Sequence, residues 1–118
     1  MLVLIVDDEA PITHLVGTVV AQAGHTPMLA FHGRQGMEQA HEHWPAMVIT
    51  DLMMPFMDGR SLISAIRREA AATGQDVPRF VVMTAAPPPA ASSLHADMVL
   101  TKPFEITELE ALLQCYSA

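Results

Sequence analysis

The run Met47-Val48-Ile49-Thr50-Asp51 is a short stretch of β-favouring residues that ends at an acidic residue. Three more short runs of β-favouring residues in the chain lead into polar or charged residues. The runs are Leu2–Val6 before Asp7-Asp8, Phe80–Met83 before Thr84, and Met98–Thr101 before Lys102. Continuous apolar runs of this length are typical of parallel strands that are buried on both faces of a sheet.

Segments with helical spacing separate these runs. One follows Asp8 and ends near Gly24, a weaker one covers Arg34 to His43, one follows Asp58 as N-cap, and the last begins at about Glu105 with Ile106, Leu109, Leu112 and Leu113 facing inward. Thr26 to Ala30 is predicted to be an additional strand. The alternation predicts an α/β fold of the (βα)5 type with one parallel sheet.

The connection between the fourth and fifth strands contains Pro87-Pro88-Pro89. Proline inside a helix removes a backbone hydrogen bond and clashes with the preceding turn. The fourth helix is therefore expected to be short or degenerate, confined at most to about Ala90 to His95.

Length and charge limit the classes of function. A chain of 118 residues is consistent with one domain, residues 1–118. The net charge of -7 argues against nucleic acid as a partner of this domain, because phosphate backbones need basic patches. The apolar runs are too short for a membrane span, and a single cysteine, Cys115, forms no internal disulfide. These features favour a cytoplasmic protein.

The C-terminal ends of parallel strands meet at one edge of a sheet, where open α/β folds bind their ligands. Asp7, Asp8 and Asp51 are therefore expected to converge. Clustered carboxylates repel one another, and a divalent cation relieves that repulsion. Carboxylate oxygens without a Cys/His set favour Mg²⁺ over zinc.

The residues at the other strand ends complete a pocket for a tetrahedral oxyanion. Lys102 supplies a positive charge, Thr84 a hydroxyl, and the small Ala85 an accessible backbone N–H. An aspartate in such a pocket can act as a nucleophile and form an aspartyl phosphate. The combination indicates phosphoryl chemistry.

Four segments together resemble the response regulator receiver domains of bacterial two-component signalling. They are Val6-Asp7-Asp8-Glu9, Asp51-Leu52-Met53-Met54-Pro55-Phe56-Met57-Asp58-Gly59, Thr84-Ala85 and Lys102-Pro103-Phe104. The resemblance covers essentially the whole chain. It implies a doubly wound, flavodoxin-like five-stranded parallel sheet with the strand order 2-1-3-4-5.

The resemblance also implies a role for each site residue. Asp51 would be the phospho-acceptor, and a sensor histidine kinase or a histidine phosphotransfer protein would be the phosphoryl donor. Mg²⁺ would be bound directly by Asp8 and Asp51, mainly through water by Asp7, and by the backbone carbonyl of Met53. Lys102 would contact a phosphoryl oxygen, and Lys102–Pro103 would be a cis peptide. Thr84 would act as the switch.

The chain departs from the family pattern at two places. Val99 stands where receivers usually have an aromatic residue that moves after phosphorylation, and valine has no ring to relocate. The triple proline alters the surface through which receivers usually contact their targets. Two interpretations remain open, which are sequence drift at a tolerant surface and a constitutive docking face for an unknown downstream protein.

Several functions fit the pattern to different degrees. A stand-alone receiver is expected because the chain ends just after the last predicted helix, and a module from a hybrid kinase or a multidomain regulator is the alternative. A haloacid-dehalogenase-type phosphatase would need an acid where Met53 stands. A flavodoxin-like FMN carrier would need a phosphate-binding loop where Asp7-Asp8-Glu9 stands. Apart from its own phosphorylation and dephosphorylation, no enzymatic activity is expected.

Overall fold

The computed structural model describes residues 1–54, 56–85 and 96–116. Strands and helices alternate along the chain. The elements are β1 (Leu2–Val6), α1 (Ala10–Gln22), β2 (Thr26–Ala30), α2 (Gly33–Glu42), β3 (Met47–Asp51), α3 (Gly59–Thr73), β4 (Arg79–Thr84), β5 (Met98–Thr101) and α4 (Ile106–Tyr116).

The five strands form one parallel sheet in the order β2-β1-β3-β4-β5. Ile49 at the centre of the sheet pairs with Ile5 on one side and Val81 on the other. The α/β fold class and the strand order 2-1-3-4-5 are confirmed. The predicted short fourth helix at Ala90 to His95 lies outside the described residues.

Two apolar cores cover the two faces of the sheet. Successive strand residues point to opposite faces, so one strand supplies both cores. Val3 and Ile5 belong to the core under α1 and α4, whereas Leu4 and Val6 belong to the core under α2 and α3. Burial on both sides explains the continuous apolar runs of β1 and of the middle of β3 and β4.

Local signals place most helix ends. Asp58 caps α3, since its carboxylate accepts a hydrogen bond of 2.8 Å from the backbone N–H of Ser61. Helix α2 begins at Gly33, one residue earlier than predicted, because His32 acts as its N-cap and accepts from the N–H of Gln35. It ends at Glu42, and His43 already has an extended backbone.

One core assignment from the sequence was wrong. Ile106 was expected to face inward with Leu109, Leu112 and Leu113, yet it is 45% exposed while those three leucines are buried. Ile106 is the first residue of α4 and follows the end of β5, so the first helical turn begins where strand packing stops. Helical spacing identifies the apolar stripe but not how far the neighbouring layer extends beneath it.

Candidate functional site

The predicted site residues come together at the C-terminal edge of the sheet. Asp51 is the last residue of β3, and Asp7 directly follows β1. Asp7, Asp8 and Asp51 each offer a carboxylate oxygen, and these three atoms all lie within 4.8 Å of one another. The convergence follows from the parallel topology, because β1 and β3 are direct neighbours in the sheet.

Lys102 reaches this acidic cluster from the loop after β5. Its Nζ atom lies 2.7 Å from Oδ2 of Asp7, 3.5 Å from Oδ2 of Asp51 and 3.8 Å from Oε1 of Glu9. Its closest partner is therefore Asp7. The Lys102–Pro103 peptide bond is cis, as the resemblance implied.

Asp7 is fully buried and held on several sides. Its Oδ1 accepts a hydrogen bond of 2.9 Å from the backbone N–H of Glu9, while Oδ2 is bound to Lys102. Its backbone carbonyl accepts a 2.8 Å bond from the hydroxyl of Thr13. Thr13 is itself fully buried in α1. Because both carboxylate oxygens already have donors, Asp7 is a fixed element of the site.

Asp51 is buried but only loosely hydrogen-bonded. Its exposed fraction is 6%, and its Oδ1 accepts a long, 3.5 Å bond from the N–H of Met53. Burial raises the pKa of Asp51, and the nearby charge of Asp7 raises it further. The positive charge of Lys102 opposes both effects, but the pKa remains above its ordinary value. An oxygen of Asp51 is thus available for a reaction or for a cation.

The ammonium group of Lys102 experiences the opposite balance. Burial lowers its pKa, but the hydrogen bond to Asp7 and the negative charges of Asp51, Asp7 and Glu9 outweigh burial. The pKa of Lys102 is raised as a result, so this side chain stays positively charged at neutral pH.

Thr84 and Ala85 adjoin the loop that carries Lys102. Thr84 ends β4 and is buried, and its backbone carbonyl accepts a 2.9 Å hydrogen bond from the N–H of Lys102. This hydrogen bond connects the loop that contains Lys102 to strand β4, which contains Thr84. Ala85 is exposed and, with Lys102, lines a cavity of about 420 Å³ together with Glu9, Ile12, Leu15, Pro103 and Phe104.

Two site residues escaped the sequence reasoning. Thr13 resembles any helical threonine, and only its contact with Asp7 reveals its role. Gly59 was quoted only as the last residue of the segment from Asp51 that resembles receiver domains, without a role of its own. In the structure, a Cβ atom at Gly59 would clash with the carbonyl oxygen of Asp51 and lie 3.0 Å from Cα of Leu52. Asp58 therefore caps α3, and the adjacent Gly59 allows α3 to approach the end of β3 closely.

The three carboxylates match the needs of a small divalent cation. All are oxygen donors, they lie within reach of one ion, and Asp8 is exposed enough to exchange water for metal. Burial raises the pKa of Asp51 and the charge of Asp7 adds to that effect, so a bound cation would stabilise the ionised carboxylate. The donor set therefore fits Mg²⁺.

Residues 3–114 match the family model described as the response regulator receiver domain. The chain belongs to this family. Solved receiver-like structures agree with the assignment. The chemotaxis protein CheY4 of Vibrio cholerae superposes with a TM-score of 0.84 at 27% identity, covering 97% of this chain and 96% of that one. A CheY-like receiver domain protein from Methanospirillum hungatei gives 0.81 at 28% identity, covering 98% and 92%.

Curated relatives of this receiver domain are longer proteins. The phosphate regulon transcriptional regulatory protein PhoB of Klebsiella pneumoniae is 34% identical over 95% of this chain. The probable transcriptional regulator ycf27 of Guillardia theta is 35% identical over 95% of it. The receiver domain spans only 49% and 43% of those two relatives. Among the residues that the structure describes, no helix is both long and apolar enough to cross a membrane.

Proposed function

We propose that this receiver domain accepts a phosphoryl group on Asp51 from a phosphohistidine of a sensor histidine kinase or a histidine phosphotransfer protein. The observation that carries the proposal is the position of Lys102, whose ammonium lies within 4 Å of both Asp7 and Asp51 in a receiver fold. A cation fixed beside a buried, loosely held carboxylate suits phosphoryl transfer, which needs in-line positioning and charge neutralisation.

The reaction is a transfer between two nucleophiles. A carboxylate oxygen of Asp51 attacks phosphorus, the phosphorus–nitrogen bond of the phosphohistidine breaks, and the leaving imidazole nitrogen takes up a proton. The product is an acyl phosphate on Asp51. Lys102, the hydroxyl of Thr84 and the backbone N–H of Ala85 stabilise the negative charge on the phosphoryl oxygens.

Mg²⁺ at the acidic cluster, when bound, would neutralise charge on the phosphoryl group and the carboxylates. Asp8, Asp51 and the backbone carbonyl of Met53 would hold it directly. Asp7 would contribute mainly through water, because both of its carboxylate oxygens already accept hydrogen bonds from Lys102 and Glu9.

The output of phosphorylation would be a change in protein–protein contacts in the cytoplasm. A net charge of -7 supports a protein partner and not nucleic acid for this domain itself. The curated relatives are named transcriptional regulators and are about twice as long, which supports the alternative of a receiver module in a multidomain regulator or hybrid kinase. The domain would catalyse only its own phosphorylation and dephosphorylation.

A second candidate is a docking domain whose contacts do not respond to phosphorylation. Val99, on β5, favours it, since this side chain has no ring that could move inward when Thr84 engages a phosphoryl group. Equal affinity for a partner with and without beryllofluoride, a phosphoryl mimic, is the result that this candidate predicts.

Acetyl phosphate with Mg²⁺ tests the main proposal without a partner protein. Intact-mass measurement is expected to show one phosphoryl adduct on the wild type, and peptide mapping is expected to place it on Asp51. Asp51→Asn should remove the adduct. Asp58→Asn is the matched control, because this carboxylate of the same loop caps α3 and asparagine also caps helices. An adduct that persists in Asp51→Asn would contradict the proposal.

A further inference from the structure

Phe56 has two features that are unusual for a large apolar residue, one in its backbone and one in its side chain. Its backbone φ of 69° lies in the left-handed region, which a bulky side chain rarely adopts. Its side chain is also 89% exposed. Burial therefore does not offset the strained backbone. Backbone outliers of this kind persist when the surrounding structure holds them, and they are frequent at functional sites.

Described residues on either side of Phe56 are fixed by contacts with the rest of the fold. The backbone N–H of Gly59 donates to the carbonyl of Leu52 over 3.0 Å, which closes the loop that carries Phe56. On its other side the loop packs against the start of α2, where a Cβ atom at Gly33 would clash with the backbone of Met57. The ring of Phe56 meets the ring of His32 edge-on, with centroids 5.7 Å apart.

The same loop begins at the acceptor. Met53, whose N–H bonds Asp51, is 75% exposed. Two large apolar side chains, Met53 and Phe56, are thus exposed shortly after the reactive carboxylate in the sequence. Any macromolecule that brings a phosphoryl group in line with Asp51 has to approach beside this loop. Aromatic side chains, phenylalanine included, are enriched at protein interfaces, where a few residues carry most of the binding energy.

We propose that Phe56 is an aromatic anchor by which this domain recognises the protein that carries the donor phosphohistidine, an inference that rests on the function proposed above. The occupant is a protein surface with an apolar recess next to its phosphohistidine. A small-molecule donor has no such surface, so it would reach Asp51 without using the anchor. Phe56 is therefore a specificity-determining residue and not a catalytic one.

The test compares two phosphoryl sources on the same protein variants. The protein donors are the histidine kinases and phosphotransfer proteins encoded in the same genome, each loaded with radiolabelled phosphate, and the small-molecule donor is acetyl phosphate. The measured quantity is the ratio of the two initial labelling rates, taken with the fastest protein donor. Phe56→Asn removes the ring but tolerates the left-handed backbone. It is expected to lower the ratio at least about tenfold.

Two controls isolate the ring. Phe56→Tyr keeps an aromatic anchor and should retain the wild-type ratio. Val77→Ala truncates another exposed apolar side chain, one that precedes β4 at the opposite edge of the sheet, and should also retain it.

An unchanged ratio in Phe56→Asn would overturn the inference and leave the proposed function standing. A wild type that acetyl phosphate labels at Asp51 but every protein donor leaves unlabelled would overturn both the inference and the proposed protein donor, and would leave only phosphoryl capture at Asp51. A wild type that neither source labels at Asp51 would instead overturn the proposed function and this inference with it.

Discussion

At the scale of single residues, the site depends on an unfavourable charge at Asp51. The native pKa of Asp51 lies above its ordinary value of 3.8, mainly because of burial. Folding therefore favours the protonated carboxyl, and stability is lost as pH rises from 3.8 through the native pKa. Without Mg²⁺, Asp51→Asn is expected to unfold at a higher temperature than the wild type at pH 7.

The difference in unfolding temperature between Asp51→Asn and the wild type should shrink as the pH is lowered below 3.8, where both native and unfolded carboxyls are protonated.

Lys102→Met is expected to change stability in the opposite direction. The raised pKa of Lys102 means that folding favours its charged form, a contribution that is complete below the ordinary value of 10.5. Lys102→Met should lower the unfolding temperature at pH 7. For Asp51, a wild type that is more stable than Asp51→Asn at pH 7 would contradict the view that its charge is unfavourable in the folded state.

At the scale of elements, α3 approaches the backbone at the end of β3 most closely at Gly59, next to the acceptor Asp51. A Cβ atom at Gly59 would meet backbone atoms, which cannot rotate away as a side chain can. Gly59→Ala is expected to reduce the free energy of unfolding by about 1–3 kcal/mol, as for other overpacked sites. It should also slow labelling of Asp51 by acetyl phosphate, because the strand end that carries the acceptor must shift.

Gly17→Ala is the matched control for this helix–strand contact. A Cβ atom at Gly17 in α1 would meet a methyl carbon of Leu29, the far end of a flexible side chain, at 2.9 Å. Relief of that contact needs only a rotamer change, and alanine improves helix propensity. Chemical denaturation and labelling rates of the two variants should therefore differ clearly, and equal effects would count against a special role of Gly59.

At the scale of the whole molecule, the acidic cluster should couple cation binding to global stability. A ligand that binds only the native state stabilises it by about 2.7 kcal/mol at 100 times its dissociation constant. Mg²⁺ at that excess is expected to stabilise the wild type by this amount in denaturant titrations. Asp8→Asn should remove most of the effect without disturbing the core, since Asp8 is exposed. Equal stabilisation of both proteins would place the cation elsewhere.

Much of the fold and the composition of the site were predictable from local patterns. Strand β2 and the end of β3 were predicted to the residue, because apolar runs and their polar ends are properties of a few consecutive positions. The convergence of Asp7 and Asp51 followed from topology alone. Ile106 and Thr13 were not predictable in this way, because their environments depend on residues far away in the chain.

The amino-acid sequence by itself determined that this protein has an α/β fold with a parallel sheet. It also determined that the aspartates, Thr84 and Lys102 lie at the C-terminal ends of the strands. Periodicity and composition encode which face of each element is apolar, and parallel pairing aligns the strand ends. Only the tertiary structure decided that Lys102 pairs most closely with Asp7, that Gly59 lies against Asp51, and that Phe56 stands exposed on a strained backbone. Those outcomes depend on ångström-scale packing between segments that are distant in sequence, and no local pattern records such distances.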